Sequence, residues 1–354
     1  MQEAILRQQI EHACMAGTAL NIVGGNSKAW YGREITGETL NVGEYTGITS
    51  YQPTELVITA KAGTKLSDIT SALDEHKQRL PFDPPCFGET ATLGGTVACG
   101  FSGPRRPYAG SCRDFVLGCR MINGKGEVGS FGGEVMKNVA GFDISRLMTG
   151  SLGTLGLMLE ISLKVLPHRQ SEQTVMLEGD FSDAIHAMNH WAGSTLPVTA
   201  MAADGSQIYF RICGTASSVE KSVKQIGGHL YDDGLQLWKD IREHQLPFFD
   251  DERPLWRISV PSDAPFQIME DMHEHDWFIG WGGAQRWLKS ELPAELIFAA
   301  AKHAGGHATL FRGGDRAGER FSPLSEGEMR LHKSLKQAFD PEGILNPGRM
   351  YRDL

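Results

Sequence analysis

The chain has 354 residues, of which 41% are hydrophobic and 22% are charged. This length and this balance are those of an ordinary globular protein with room for two domains. The formal net charge of −9 argues against a nucleic-acid-binding protein and against attachment to anionic lipid through a basic face.

The cysteines and the most apolar window indicate the cellular location of the chain. The six cysteines are Cys14, Cys86, Cys99, Cys112, Cys119 and Cys213. No two of them form a CxxC pair, and they match no zinc or iron–sulfur ligand pattern. We therefore expect reduced thiols, no metal site and a cytoplasmic location. The window Leu147–Leu166 contains Glu160, Lys164 and glycines, so we predict no membrane span.

The first part of the chain alternates helices, strands and glycine-rich turns. Residues 2–16 have helical spacing of apolar residues, and Leu56–Ala60 predicts a strand followed by a helix over Leu66–Glu75. Residues 114–128 predict two strands with a hairpin turn between them. Leu155–Leu166 predicts a strand that ends at a proline and leaves this part of the chain.

Three segments of the first part combine glycine with small polar residues. The first contains Gly24, Gly25, Asn26, Ser27 and Lys28; the second contains Gly94, Gly95, Thr96, Ser102 and Gly103; the third contains Gly141, Gly150, Ser151, Gly153, Thr154 and Gly156. Glycine in foldable sequence indicates close approach to the main chain, and such turns can present successive N–H donors to an anion. The alternative is a set of tightly packed turns with no ligand.

After Pro167 the pattern changes to short alternating helices and strands. Helices are predicted over 181–191, 217–226 and 293–304, and strands over 207–213, 255–260 and 307–312. Residues 228–254 are charged and aromatic, and the pattern assigns them no element. A last helix is predicted over 326–339. This alternation predicts an α+β fold in which a smaller domain packs on the first.

The order of the segments resembles the FAD-binding domain shared by vanillyl-alcohol oxidase and p-cresol methylhydroxylase (the PCMH type). The matching pieces are Gly24–Lys28, Glu55–Thr64, Thr92–Thr96, Asn123–Gly126, Gly141–Asp143, Gly150–Gly156 and the tail Asp340–Arg349. The resemblance implies an α+β fold: a two-part FAD-binding domain over 1–168, a smaller α+β cap over 169–325, and a C-terminal segment, 326–354, that returns to the FAD domain. Within the family, Trp281–Trp287 and Gly305–Arg312 resemble the FAD-binding subunits of glycolate oxidases.

The same resemblance assigns the three glycine-rich segments to FAD. Residues Gly24, Gly25, Asn26, Ser27 and Lys28 would hold the pyrophosphate. The second segment would line the isoalloxazine and ribityl side, and the third the other part of the channel. Relatives with covalent flavin commonly carry a histidine in or beside the first turn. This turn has none, so we predict non-covalent FAD.

Nucleotide alternatives and catalytic residues are less well marked. No G-x-G-x-x-G follows the early strand and no GxxxxGK[ST] occurs, which argues against a nicotinamide Rossmann domain and a P-loop. The HGDGN and GEHG segments by which related dehydrogenases bind metal and substrate are also missing. We therefore assign no catalytic residue. The remaining candidates are His307, Arg286, Arg312 and Arg105, for each of which a structural role is the alternative.

Three functions remain open. The resemblance implies the FAD-binding subunit of a complex that oxidises glycolate, a 2-hydroxy acid, to glyoxylate. It would pass electrons to a larger flavoprotein and an iron–sulfur subunit, and any association with the inner membrane would run through these partners. The alternatives are a free-standing FAD-dependent 2-hydroxy-acid dehydrogenase and a non-catalytic flavin-fold assembly subunit.

Overall fold

A computed structural model describes residues 1–133, 143–269 and 273–354, so Gly141 lies outside the described residues. The α-helices are α1 (Gln2–Ala16), α2 (Leu66–Glu75), α3 (Leu93–Cys99), α4 (Arg106–Ala109), α5 (Cys112–Phe115), α6 (Ile144–Leu147), α7 (Phe181–Ala192), α8 (Ala216–Ile226), α9 (Gly234–Glu243), α10 (Ala294–His303) and α11 (Glu326–Phe339). Short 3₁₀ helices span Pro247–Phe249, Glu274–Asp276 and Trp281–Gly283.

The strands mix with these helices along the whole chain, which confirms the predicted α+β class. They are β1 (Leu20–Val23), β2 (Glu38–Asn41), β3 (Ile48–Gln52), β4 (Val57–Lys61), β5 (Gln78–Arg79), β6 (Val116–Ile122), β7 (Val128–Gly132), β8 (Leu157–Lys164), β9 (Leu166–Pro167), β10 (Ser171–Glu178), β11 (Val198–Ala203), β12 (Gln207–Gly214), β13 (His229–Leu230), β14 (Leu255–Ser259), β15 (Trp277–Gly280), β16 (Gln285–Lys289) and β17 (His307–Arg312).

The first part is built around an antiparallel sheet of order β3-β4-β8-β6-β7. Helix α2 buries Leu66, Ile69 and Leu73, which share one helical face, against this sheet's core. Beside it, β1 and β2 pair in parallel as a separate two-stranded sheet. The glycine-rich turn follows the end of β1 and lies outside the core of the main sheet.

The second part is an antiparallel sheet of order β13-β10-β12-β11-β15-β16-β14-β17. Helices α7, α8 and α10 cover one face of it. The other face packs on α9 and on Tyr31 and Phe101 of the first part. Strand β14 illustrates the two-sided burial, because Trp256 belongs to the first of these layers and Leu255 to the second. An aromatic-rich core therefore joins the two parts.

Sequence patterns found the opening helix, α2, β6–β7, β8, α7, α8, α10 and α11 to within a few residues. They missed β11 and β15, which are buried in the large sheet and lack polar residues in alternation. They also missed β10, whose first four residues are polar and of which only Thr174 and Val175 are buried. They also assigned no element to the segment that contains α9, and they read the second glycine segment as a loop where α3 forms. The domain boundaries at 168 and 325 stay a prediction.

The C-terminal segment packs against the first part of the chain. Leu345 forms a parallel bridge with Leu20 and is fully buried beside Ile344. Helix α11 begins with a capping box between Ser325 and Glu328. Its last turn carries Lys336, whose buried Nζ donates to the Thr154 and Leu345 carbonyls at 2.8 Å each.

Lys336 also forms an ion pair with the buried Asp340 at 2.7 Å, and that carboxylate accepts hydrogen bonds from two tail N–H groups. We predict that Lys336→Met lowers the free energy of unfolding by about 3 kcal/mol, because it leaves a buried carboxylate without its cation. Urea unfolding of both proteins measures the difference.

The matched control is Lys333→Met on the same helix, whose ion pair with Asp353 is exposed. It should change stability by less than about 0.5 kcal/mol. Equal effects of the two substitutions would contradict a stabilising role for the buried pair.

Candidate functional site

An open cleft of about 460 Å³ lies where β1 ends. One wall is formed by β1 and the turn that follows it, residues 21–29. The opposite wall comes from α3, from Leu152 and from the C-terminal tail. Besides residues 21–29 and Leu152, the lining consists of Glu34, Ile35, Thr39, Thr92, Gly95, Ala98, Cys99, Arg316, Asn346 and Arg349. The cleft thus collects segments that are far apart in the sequence.

The turn Gly24–Lys28 presents its main chain to this cleft. Across the described residues 1–133, 143–269 and 273–354, its five N–H groups donate to no protein acceptor. Asn26 takes a left-handed conformation, with φ of 60°, which reverses the chain inside the turn. Consecutive unpaired N–H groups in such a turn form a concave site for an anion.

The two glycines of this turn are needed for packing on the second segment. A Cβ atom added at Gly25 would lie 1.4 Å from the Thr90 carbonyl oxygen, and one at Gly24 would lie 2.7 Å from Thr92 Oγ1. The Thr90 hydroxyl in turn donates to the Gly25 carbonyl. Bare backbone at these positions therefore lets the turn sit directly on the segment before α3.

The second segment reaches the cleft with only part of its residues. Gly95 lines the cleft, and Thr92 caps α3 by accepting from the Gly95 N–H at 3.3 Å. Gly94 is buried away from it, with the Ala62 Cβ atom 2.7 Å from where its own Cβ would be. Thr96 is fully buried, and its hydroxyl has no partner among the described residues.

The third segment packs mainly against other protein groups. A Cβ atom at Gly156 would overlap the Met121 side chain, and one at Gly153 would overlap the Asn346 amide. The hydroxyl groups of Ser151 and Thr154 donate to carbonyls of their own turn. Gly150, Ser151 and Thr154 line a separate cavity against α11. Within residues 150–156, Leu152 alone lines the cleft.

Asn346 holds the third segment in place beside the cleft. Its Nδ2 donates to the Leu152 carbonyl at 2.6 Å, and its Oδ1 accepts from the Ile22 N–H at 2.8 Å. One side chain of the tail therefore connects β1 with the third glycine segment. Sequence analysis assigned Asn346 no separate role, although it lies in the tail that supports the family resemblance.

Three cations border the cleft. Lys28 is buried, and its Nζ donates to the Cys86 carbonyl at 3.0 Å; burial lowers its pKa. Arg316 and Arg349 both donate to the Ala29 carbonyl, at 2.8 Å and 3.0 Å. Burial and the neighbouring Arg316 lower the pKa of Arg349. Sequence analysis missed both arginines as site residues, because Arg316 stands in no recognised motif and Arg349, at the end of the tail motif, was given no contact with the ligand.

Ser102 and Gly103 line a second, smaller cavity at the junction of the two parts. Its volume is about 30 Å³, and its other walls come from α9, from β14, β16 and β17, and from Phe87 and Phe101. Trp30 contacts Phe87 and Phe101 at ring-centroid distances of 5.4 Å and 6.3 Å. Trp30 also donates through Nε1 to the Ser27 carbonyl of the turn, and Phe87 and Phe101 line the second cavity. These three rings, which we call the aromatic partition, therefore connect the turn Gly24–Lys28 with the second cavity.

The three catalytic candidates, His307, Arg286 and Arg312, and the further contact candidate Arg105 each have contacts of their own. Arg286 is fully buried and donates to the carbonyls of Ala264, Pro265, Phe266 and Gly283. Arg105 pairs with Glu172 at 2.7 Å, and Arg312 donates to the Phe249 carbonyl.

The fourth candidate, His307, lies on the edge strand β17, and burial of its ring lowers its pKa, with Arg257 and Arg106 adding to the effect. In the described parts of the chain, no three His, Cys, Asp or Glu residues cluster as metal ligands. No described helix has the length and apolarity needed to cross a bilayer.

Comparison with known proteins identifies the family. A family model described as an FAD binding domain matches residues 2–132, and one described as the C-terminal domain of FAD linked oxidases matches residues 319–350. The chain is 47% identical to glycolate oxidase subunit GlcE of Escherichia coli (strain K12) over 349 residues, which cover 99% of this chain and 97% of that protein.

A second relative and one solved structure of the same fold extend the comparison. Glycolate oxidase subunit GlcD of Bacillus subtilis (strain 168) is 28% identical over 160 residues, covering 45% of this chain and 33% of that protein. The structure of 4-ethylphenol oxidase from Gulosibacter chungangensis superposes with a TM-score of 0.73 at 14% identity, covering 100% of this chain and 88% of the other. The chain therefore belongs to the FAD-linked oxidases, a family of FAD-binding oxidoreductases that also contains glycolate oxidase subunit GlcE.

Proposed function

We propose that this chain is the FAD-binding subunit of a complex that oxidises glycolate to glyoxylate. The observation that carries the proposal is the 47% identity to glycolate oxidase subunit GlcE over nearly the full length of both proteins. In this reaction glycolate loses two electrons and two protons. FAD, when bound, supplies a two-electron acceptor.

The cleft at the end of β1 is the site that we propose for FAD. The unpaired N–H groups of Gly24, Gly25, Asn26, Ser27 and Lys28 suit the pyrophosphate, as the family resemblance implies. Gly95 and Asn346 would line the same ligand. The predicted contacts of Gly94, Thr96, Ser102, Gly103, Gly150, Ser151, Gly153, Thr154 and Gly156 stay predictions, and their packing gives several of them a structural role of their own.

The guanidinium groups of Arg316 and Arg349 fit the same assignment. They lie side by side at the cleft, and the one acceptor that they share is the uncharged Ala29 carbonyl. Glu34 lines the same cleft and acts electrostatically on Arg349, but neither guanidinium forms a salt bridge with a carboxylate of the described residues. A phosphate group could therefore pair with both arginines. We therefore add both arginines to the residues proposed to hold FAD.

The partners are proposed from the relatives' names and from the cysteines. GlcD also carries the name of a glycolate oxidase subunit, and the aligned 160 residues are a smaller share of it than of this chain, so it is the longer protein. This fits a larger flavoprotein partner. The six cysteines have no cluster-ligand spacing, so an iron–sulfur partner would carry single electrons onward. The reduced cysteines fit a cytoplasmic location, and any association with the inner membrane would run through these partners.

The aromatic partition favours substrate oxidation on a partner over oxidation on this chain. Trp30, Phe87 and Phe101 pack together between the proposed FAD cleft and the junction with the cap. A substrate must contact the flavin to transfer hydride. The FAD of this subunit would then exchange electrons with the larger flavoprotein, and the free-standing dehydrogenase becomes the second candidate.

Anaerobic flavin reduction separates these functions. We expect the purified chain to carry FAD whose absorbance glycolate does not bleach, and expect bleaching when the larger flavoprotein and the iron–sulfur subunit are present. Dithionite should reduce the flavin in both samples, which is the control. A chain without FAD would contradict the proposal as a whole. Bleaching of the isolated chain by glycolate would favour the free-standing dehydrogenase.

The turn itself is tested by Gly25→Ala. The added Cβ atom would overlap the Thr90 carbonyl oxygen and push the turn out of place, so we expect FAD affinity to fall by about 100-fold or more, or ~2.7 kcal/mol. Fluorescence titration of FAD measures it, and thermal melting checks the fold. Gly193→Ala is the control, because that glycine ends α7 and has only ordinary contacts at 3.7 Å. Unchanged FAD affinity in Gly25→Ala would remove the turn from the site.

A further inference from the structure

The loop Asp83–Gly88 lies between the two parts of the chain and contacts both of them. It follows β5 and precedes α3, so it belongs to the first part. On one side, its Cys86 carbonyl accepts a hydrogen bond from Lys28 Nζ at 3.0 Å. On the other side, it meets the end of α9 in the second part. A few hydrogen bonds of this loop therefore connect the turn Gly24–Lys28 with the second part.

The contact between the loop and α9 is made by one carboxylate. Glu243, the last residue of that helix, accepts from the Cys86 N–H at 3.0 Å and from the Phe87 N–H at 2.8 Å. Its other oxygen accepts from Arg242 Nε at 2.8 Å, and only 10% of its side chain is exposed. A carboxylate that accepts from two consecutive N–H groups fixes the orientation of the peptide between them.

Lys28 and Glu243 hold opposite sides of one peptide plane. The Phe87 N–H and the Cys86 carbonyl belong to the same peptide group, and in a trans peptide they point in opposite directions. An ammonium at the carbonyl and a carboxylate at the N–H polarise this peptide in the same sense, so each hydrogen bond strengthens the other. Glu243 thus orients the carbonyl to which Lys28 donates.

The backbone of the loop is held in an unfavourable conformation by the second part. Asp83 and Phe87 both lie in the left-handed region, with φ of 51° and 50°. Such residues persist only where their surroundings fix them. Asp83 pairs with Arg211 and Arg242, at 3.4 Å and 3.1 Å, and the Phe87 N–H donates to Glu243. All three of these partners belong to the second part, so the shape of the loop depends on it.

Lys28 is buried beside the cleft and relies on this loop. Its Nζ donates to the Cys86 carbonyl and to the Ser27 hydroxyl at 3.3 Å, and no carboxylate of the described residues forms a salt bridge with it. Burial lowers its pKa, while Cys99, Cys86 and Glu243 oppose that shift. The Cys86 carbonyl therefore determines where this cation is placed along the cleft wall.

We propose that Glu243 is a positioning residue for FAD, which orients the Cys86–Phe87 peptide so that its carbonyl holds Lys28 at the cleft. Glu243 itself does not line the cleft and would act through Lys28. This role rests on the proposed FAD site and deepens it, because it makes the second part of the chain a determinant of FAD affinity.

Glu243→Gln tests the role by fluorescence titration of FAD. The amide has the size of the carboxylate, but its NH₂ group would face an N–H donor, so at least one of the three hydrogen bonds is lost. We expect FAD affinity to fall at least about 10-fold. Asp240→Asn is the control, since it removes a charge of the same helix whose hydrogen bond to Gln236 is exposed. Unchanged FAD affinity in Glu243→Gln overturns the proposal.

A double substitution separates positioning of Lys28 from a general loosening of the junction. In Lys28→Met the cation is gone, so adding Glu243→Gln should change FAD affinity by less than about 2-fold. Thermal melting of all variants reports the stability of the fold separately. An equal loss of FAD affinity with and without Lys28 would overturn the positioning role.

Acetylation of Lys28 in the FAD-free protein provides a readout that needs no cofactor. Acetic anhydride attacks the neutral, accessible amine, and Glu243→Gln both releases Lys28 and removes a charge that favours its protonated form. Mass spectrometry should show acetylation of Lys28 rising at least about 5-fold at about pH 8, with no change in Asp240→Asn.

The two readouts distinguish the possible failures. An unchanged protein that binds no FAD would overturn the proposed function and with it the role of Glu243 toward FAD. Normal FAD binding by the unchanged protein, together with a Lys28 whose acetylation does not respond to Glu243→Gln, would overturn the positioning role alone.

Discussion

The backbone of Gly25 lies so close to the Thr90 carbonyl that no side chain fits between them, and the proposed FAD cleft depends on this contact. It brings the turn after β1 onto the segment that begins α3. The turn can then present its N–H groups to the cleft instead of folding back on β1. A polar site of this kind needs such support, because N–H groups without a protein acceptor make no hydrogen bond that would hold the turn in place.

The tail completes the same arrangement from the other side. Asn346 connects β1 with the third glycine segment, and the Lys336–Asp340 pair fixes the end of α11 against Thr154 and Leu345. The cleft is thus enclosed by the beginning, the middle and the end of the chain. This explains physically why the C-terminal segment returns to the first part after an intervening domain of different architecture.

The sequence predicted the α+β class, most of the regular elements and the turn Gly24–Lys28, because these follow from local pattern. It could not separate glycines that face a ligand from glycines that permit close packing. Gly94 and Gly156 belong to the second kind, since Ala62 and Met121 occupy the space that a side chain would need. Both kinds of glycine stand in glycine-rich segments, and only the fold shows which kind each one is.

The junction between the two parts was beyond sequence analysis for a different reason. Glu243 and Cys86 come from distant parts of the chain, and α9 lies in a segment whose pattern assigned no structure. The aromatic partition of Trp30, Phe87 and Phe101 likewise joins residues that no motif connects.

Hydrogen–deuterium exchange with and without FAD tests the central claim most directly. If FAD binds in the cleft, it should slow exchange at the amides of residues 24–28 and at Gly95. The amides of Gly153 and Gly156, which pack on other protein groups, should change much less. Protection by FAD elsewhere, with residues 24–28 exchanging as before, would contradict the account.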